Sequence, residues 1–286
     1  MTAPTRICPE RSIRTRRMTF GYPQVGSRKH YVQGDLVMSH IVSVLSALFP
    51  EGEDFFIRSV RHYAGQITDP GLTRQVAGFI GQEVTHGREH RELNERLQQL
   101  GYPTRRVDRF TKAGLGRNER WYGPRFALAM TAALEHYTAT LAEVLLSDPR
   151  ARELLGDSEV REMLLWHALE ESEHKSVAFD VYAAAVGDER VRVRAMRFVN
   201  VTFLAAIATH TALSLAADRA AYNPVRLIRS VAGLRHSPFL SREVVGRIRE
   251  YTRPGFHPDH LGGAEQVEAW RAELFGPGGR LASHVR

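Results

Sequence analysis

Cysteine is almost missing from this chain. Cys8 is the only one in 286 residues, which excludes an internal disulfide framework and leaves no set of thiolates for a metal. Lysine is nearly as scarce: of 39 basic residues only Lys29, Lys112 and Lys175 are lysines. No segment sustains the apolar–polar alternation of a strand, and there is no short-period repeat or low-complexity tract. The net charge is +7, yet no nucleic-acid-binding motif or interleaved aromatic platform accompanies it, so nucleic acid is not an expected partner. Arginine runs at 11–17, 104–120 and 190–197 leave room for a phosphate-bearing small molecule. The stretch MTAPTRICPERSIRTRR is basic but no apolar run follows it. It reads as an extended arm over residues 1–33 rather than a secretory signal, and a cytoplasmic location is expected.

What is present is helical periodicity. With 43% apolar residues the chain can bury a sizeable core, read as one domain over residues 34–286. Apolar residues at 3.6-residue spacing predict a helix over Gly34–Phe49, a break at Phe49–Gly52, and a resumption over Glu53–Tyr63. A second helix is expected from Asp69 to Leu100, stopped by Gly101-Tyr102-Pro103. A basic connection would lead to a third from Pro124 to Leu146, and a fourth would run from near Asp157 to near Gly187. Phe198–Ala217 is 20 residues without a formal charge, long enough to span a bilayer. Its load of Asn200, Thr202, Thr209, His210, Thr211 and Ser214 favours a buried bundle helix over a membrane span. Beyond Asn223, two or three short helices are expected, with the Arg253–Pro258 turn packing back onto the bundle. The fold class is all-α: a four-helix bundle with additional C-terminal helices, which the resemblance given below implies to be ferritin-like.

Within the four helices, two Glu-x-x-His pairs, Glu83/His86 and Glu171/His174, each follow a lone helical glutamate, Glu53 and Glu135. With 22 Glu and 13 His, about one such pair arises by chance, so the count decides nothing and the placement must. Glu135 stands in an otherwise apolar helix, where a buried charge is costly unless paired. Glu53 shares a face with Phe56 and Val60. Four inward carboxylates would repel one another, and two divalent cations remove that repulsion. Residues three apart on a helix lie within about 60° of each other, so each pair can aim an oxygen and a nitrogen at one axis, as four-helix di-metal sites do. Oxygen and imidazole ligands suit Fe, Mn or Zn. His167 adds a third imidazole on the face of Glu171 and His174. Glu170 could stand in for Glu171, and the Glu-x-x-His spacing favours Glu171 without deciding between them. His90 is expected beside the site as a hydrogen-bonded histidine. Glu51, Asp54, Glu89 and Glu173 are expected to be solvated or supporting groups, and His136 structural. His257 and His260 sit in a turn without partners at ligand spacing.

The set Glu53, Glu83-x-x-His86, Glu135, His167-x-x-x-Glu171-x-x-His174 resembles the seven-ligand site of the ferritin-like arylamine N-oxygenases, in which the extra histidine completes one iron. The stretches HIVSVLSALFPEGEDFF (from His40), QEVTHGREH (from Gln82), Trp166–Lys175 and the Pro254–Pro258 turn also resemble the predicted metal-dependent hydrolases, over about residues 30–260. Within that family the likeness is to the di-iron monooxygenases of platensimycin and platencin biosynthesis. The resemblance implies two Fe ions, O2 as co-substrate, and hydroxylation of a bulky diterpenoid acid carried as its coenzyme A thioester.

No flavin or iron–sulfur motif is present, so electrons would come from a separate reductase, and a homodimer is plausible for a helical enzyme of this size. The rival class is hydrolysis of an ester or thioester by two Zn or Mn ions. Seven ligands leave such a site few open positions, and no nucleophile or oxyanion motif is visible. Iron storage is a distant third reading, because the extra C-terminal helices suit a covered pocket better than a shell subunit.

Overall fold

The computed structural model describes residues 13–22, 29–156 and 158–286, so Cys8 and the first twelve residues lie outside the described part. Among the described residues ten α-helices follow in order: α1 Leu36–Ala64, α2 Pro70–Gln99, α3 Thr104–Ser147, α4 Pro149–Leu155, α5 Glu159–His174, α6 Val177–Ala185, α7 Glu189–Ala216, α8 Pro224–Gly233, α9 Arg242–Glu250 and α10 Ala264–Phe275. Among the described residues there is no strand, only an isolated bridge between Met18 and Val285. The fold is all-α. Side chains of Asp35, Asp69, Ser158, Asp188, Asn223 and Ser241 cap helix N-termini by accepting backbone N–H groups, the role short polar side chains serve there.

Helices α1, α2, α3 and α5 pack against one another, with α7 laid over α1 and α3, an arrangement compatible with a ferritin-like bundle. Their apolar side chains form two clusters at opposite ends. One gathers Phe55, Val60, Phe79, Leu128 and Val181; the other Leu93, Leu97, Leu146, Met163 and Trp166. The glutamates and histidines singled out above fall between the two.

The structure corrects four expectations. First, α1 does not break at Phe49–Gly52 but runs through Pro50. Proline has no N–H for the carbonyl four residues back, which here is Ser46. That carbonyl instead accepts from the Asn94 amide of α2 at 3.0 Å, so the bundle supplies the missing donor. Second, the basic connection after Pro103 is helical. It is the first half of α3, joined to the second at Gly123, whose φ of 74° is the left-handed conformation that favours glycine, with Pro124 next. Third, the fourth helix is two, α5 and α6, parted at Lys175-Ser176. The buried Lys175 ammonium reaches Glu143 at 3.0 Å and the Gly262 carbonyl.

Fourth, the uncharged segment from Phe198 is not a buried bundle helix. Only 17% of the apolar window of α7 is buried, and α7 is the one helix among the described residues long and apolar enough to cross a membrane. The expected return of the Arg253–Pro258 turn does occur. Phe256 packs on Phe179 and His136, and the Arg253 carbonyl accepts from Arg192.

Residues Ile13–Tyr22 form no helix and follow α2. Gln82 donates to the Arg14 carbonyl, Arg88 to the Met18 carbonyl, and Glu89 accepts from the Phe20 N–H. Glycine makes the close approach possible: a Cβ on Gly78 would lie 2.6 Å from the Ile13 carbonyl oxygen.

Candidate metal centre

Four helices bring seven side chains together. Glu53 comes from α1, Glu83 and His86 from α2, Glu135 from α3, and His167, Glu171 and His174 from α5. All seven are buried. The ligand-type atoms of Glu53, His86 and His167 lie within 4.8 Å of one another, and so do those of Glu83, Glu171 and His174. Glu135 Oε2 is 3.4 Å from His174 Nε2. Glu171 is central: its Oε1 lies 3.0 Å from His167 Nε2, 3.6 Å from His174 Nε2 and 3.8 Å from His86 Nδ1.

The hydrogen-bond inventory tests whether the cluster suits a metal. Both oxygens of Glu53, Glu83 and Glu135, one oxygen of Glu171, His86 Nδ1 and His174 Nε2 are buried without a hydrogen-bond partner. Each unsatisfied buried group costs about 1–3 kcal/mol, more when charged. Atoms of this kind crowded into one space, all oxygen or imidazole nitrogen, fit divalent cations. Their protonation agrees. Burial, then the neighbouring carboxylates, pushes Glu53 and Glu83 well above the usual carboxylate range, and pushes Glu135 up to about 7. Burial also opposes charge on Glu171 and His174. For these two the partners prevail: the His167 hydrogen bond and the charges of His174 and His167 hold Glu171 well down, and the charges of Glu171 and Glu135 hold His174 well up. Four carboxylates this close cannot all ionise unless cations lie among them.

Each histidine is pinned through the nitrogen that faces away from the cluster. His86 Nε2 is 3.0 Å from Glu170, whose other oxygen accepts from Arg16 at 2.8 Å. His174 Nδ1 is 2.8 Å from Gln82 Oε1. Gln82 in turn donates to Glu173, which is held by Arg16 and Arg271. His167 Nδ1 is 2.9 Å from His90 Nε2. Hydrogen bonds of this kind orient ligating imidazoles and raise their basicity.

Glu170 therefore stands behind His86 and outside the cluster, where burial pushes it up to about 8 against the pull of Arg16. His136 bonds the Arg247 carbonyl at 2.9 Å, as a structural histidine would. His257 lies outside the cluster, with its Nε2 2.8 Å from Asp180. Sequence reasoning missed Arg16 and Gln82. Arg16 arrives on a non-helical arm with no periodicity to mark it, although Gln82 adjoins Glu83 and could have been asked what it supports.

A third His/Asp group, His30, His40 and Asp218, lies elsewhere. There Asp218 Oδ2 already engages both imidazoles, and the Lys29 ammonium sits 3.2 Å away. That is a closed ion-pair network.

A cavity of about 660 Å3 reaches the cluster at His167 and Glu171. Phe56, Met130, Leu134, Leu145 and Phe203 line it, and Phe110, Arg117 and Trp121 stand along its α3 wall.

No curated protein and no solved structure matches the chain. One family model does, described as predicted metal-dependent hydrolase, and it spans residues 14–262. That range takes in all four cluster-bearing helices and Arg16. The chain belongs to the predicted metal-dependent hydrolase family.

Proposed function

We propose that the chain is a non-haem di-iron monooxygenase that hydroxylates an unactivated C–H bond of a bulky apolar carboxylic acid presented as its coenzyme A thioester. The observation that carries this reading is the pairing of an oxygen- and imidazole-only cluster with an apolar-lined cavity opening directly onto it. Glu53, His86 and His167 would hold one ion, and Glu83, Glu135 and His174 the other. Glu171, within reach of all three imidazoles, would lie between them. When bound, the iron pair supplies the redox chemistry: O2, two electrons and two protons convert C–H to C–OH and release one water, the electrons coming from a separate reductase.

The chain's own residues do the rest. The Phe56, Met130, Leu134 and Phe203 side chains hold an apolar body against the cluster and exclude water, which would divert a reactive oxidant. Glu170 engages His86 Nε2, and Gln82 accepts a hydrogen bond from His174 Nδ1, so the opposite nitrogens are the ones turned to a metal. Arg117, exposed on the cavity wall and resting on the Trp121 ring, suits the phosphates of a coenzyme A tail.

Hydrolysis, which the family description names, is the alternative. Next to the cluster the cavity is lined chiefly by hydrocarbon, with no array of donors for a developing oxyanion, which disfavours it.

One experiment separates the two. The protein is reconstituted anaerobically with Fe(II), metal per chain is measured, and O2 uptake and visible absorption follow on mixing with oxygen and apolar acyl-coenzyme A thioesters. Two irons per chain, lost in Glu135→Ala and His174→Ala, with O2-dependent hydroxylation, is the expected result. Thioester cleavage by a zinc-loaded protein that ignores O2 would overturn it in favour of hydrolysis.

A further inference from the structure

Beside the cluster runs a closed chain of buried hydrogen bonds that begins at a backbone irregularity. Pro50 cannot donate to the Ser46 carbonyl, and Asn94 Nδ2 does so at 3.0 Å. Because that carbonyl can only accept, the Asn94 amide can be oriented only one way, with Oδ1 on the other side. Asn94 Oδ1 then accepts from the Ser46 hydroxyl at 2.8 Å. With its proton committed, Ser46 Oγ accepts from His90 Nδ1 at 2.9 Å. A neutral His90 protonated at Nδ1 presents a bare Nε2, which accepts from His167 Nδ1 at 2.9 Å. A proton of His167 is thereby placed on Nδ1, and Nε2, 3.0 Å from Glu171 and 3.8 Å from Glu53, is the nitrogen that donates to Glu171 without metal and is left to a metal when one binds. Phe49, stacked on His90 at 4.5 Å, keeps that ring in plane.

We propose that Pro50, Asn94, Ser46 and His90 form a tautomer relay, a set of positioning residues that holds a proton of His167 on Nδ1 and so keeps Nε2 ready to take a metal. The inference rests on the di-metal reading for its purpose, but the relay is measurable without metal. Nitrogen-15 NMR of the metal-free protein reads the tautomer directly. Protons on Nδ1 of both His90 and His167 are expected, and a His167 Nδ1 without a proton would overturn the relay whatever metal does. The second arm is affinity for Co(II), from its absorption in competition with a chelator. His90→Phe keeps the stack on Phe49 but offers no acceptor, and affinity should fall about 10–100-fold. His90→Gln, which can accept from His167 and donate to Ser46, should recover most of it. Equal affinity in His90→Phe and wild type would overturn the proposal. Failure of the wild type to bind Co(II) with the tautomers as expected would instead indict the di-metal reading.

A separate observation carries a second inference. Helix α8 is inverted. Ser230 is buried and bonded to the Val37 N–H and Asp35, and Arg226 reaches His30, while Val225 and Ile228 are 64% and 67% exposed. Beside it, α7 exposes Val201 at 70% and Leu204 at 55%, flanked by Tyr222 at 73% and Trp121 at 71%. The Tyr222 hydroxyl bonds the Ala216 carbonyl near one end of the exposed stretch of α7, and Tyr122 packs on Phe198 near the other.

With about 150–250 Å2 for a whole aromatic side chain and somewhat less for an aliphatic one, these six leave roughly 700 Å2 exposed. That sum approaches the ~800 Å2 per partner of a stable interface. We infer that this face, among the described residues, joins two copies of the chain about a two-fold axis. In an antiparallel α7 crossing centred near Ala206, the two Arg197 side chains stand roughly 27 Å apart at 1.5 Å per residue. That is well beyond the ~8 Å screening length, so like charge does not forbid the pairing. Sedimentation of the full chain should give about twice 32.3 kDa, with Val201→Glu and Ile228→Glu together raising the dimer dissociation constant at least 100-fold. A wild-type monomer at all concentrations would overturn the inference, as would co-sedimentation of monomer with anionic vesicles.

Discussion

At the scale of single residues, burial and protonation decide what each group can do. His136 shows it away from the cluster. Burial, only partly offset by the Arg247 carbonyl, pushes its pKa down to about 4. The unfolded chain then binds more protons than the native one between pH 4 and about 6.5. Stability is fully present above that window and lost as pH falls through it, by up to about 3 kcal/mol. Replacing His136 with Gln should remove that part of the acid sensitivity, so urea denaturation of the two proteins between pH 4 and 7 should give curves of different slope. Parallel curves would mean His136 titrates normally. Within the cluster, Glu135 was legible from sequence because one carboxylate stood among alanines, leucines and methionine. Gln82 and Arg16 were not, because their meaning lies in partners 92 and 157 positions away.

At the scale of elements, the irregular places do the positioning. Removing the Asn94 amide with Asn94→Ala leaves the Ser46 carbonyl unpaired inside the bundle, an expected loss of about 1–3 kcal/mol. Pro50→Ala restores a backbone N–H for that carbonyl, so the double variant should recover part of the loss. A double-mutant cycle by chemical denaturation reads the coupling, and strict additivity would refute it. The arm along α2 gives a second test. Alanine at a helical glycine normally adds up to about 1 kcal/mol. At Gly78 its methyl would instead meet the Ile13 backbone, so Gly78→Ala should loosen the arm and speed protease cleavage within residues 13–22. Unchanged cleavage would show that the arm is not held there.

For the whole molecule, two apolar clusters clamp a polar layer whose carboxylates repel one another, so the metal-free protein carries a strained centre that cations should relieve. Ligands binding only the native state at 100 times their dissociation constant add about 2.7 kcal/mol. For a chain of this length that is roughly a 5–10 °C rise in Tm. Calorimetry with Fe(II) or Mn(II) and with chelator should show the shift, and it should shrink in Glu135→Ala. Equal melting with and without metal would remove the main argument for the centre. The exposed α7 face belongs to the same scale. Composition marked residues 198–217 as uncharged, but which side of them faced outward depended on where α1 and α3 lay.

By itself the sequence determined the helical class and the helix spacing that puts Glu53, Glu83, His86, Glu135, His167, Glu171 and His174 on inward faces. These are properties of 3.6-residue periodicity and of a charge in apolar company, both local. Only the tertiary structure decided that α1 continues through Pro50, that α3 begins at Thr104, that α7 lies outside the core, and that Arg16, Gln82 and the Pro50–Asn94–Ser46–His90 relay hold the imidazoles. Each depends on a donor, an acceptor or an open space contributed by a distant segment, and no window of neighbouring residues contains it.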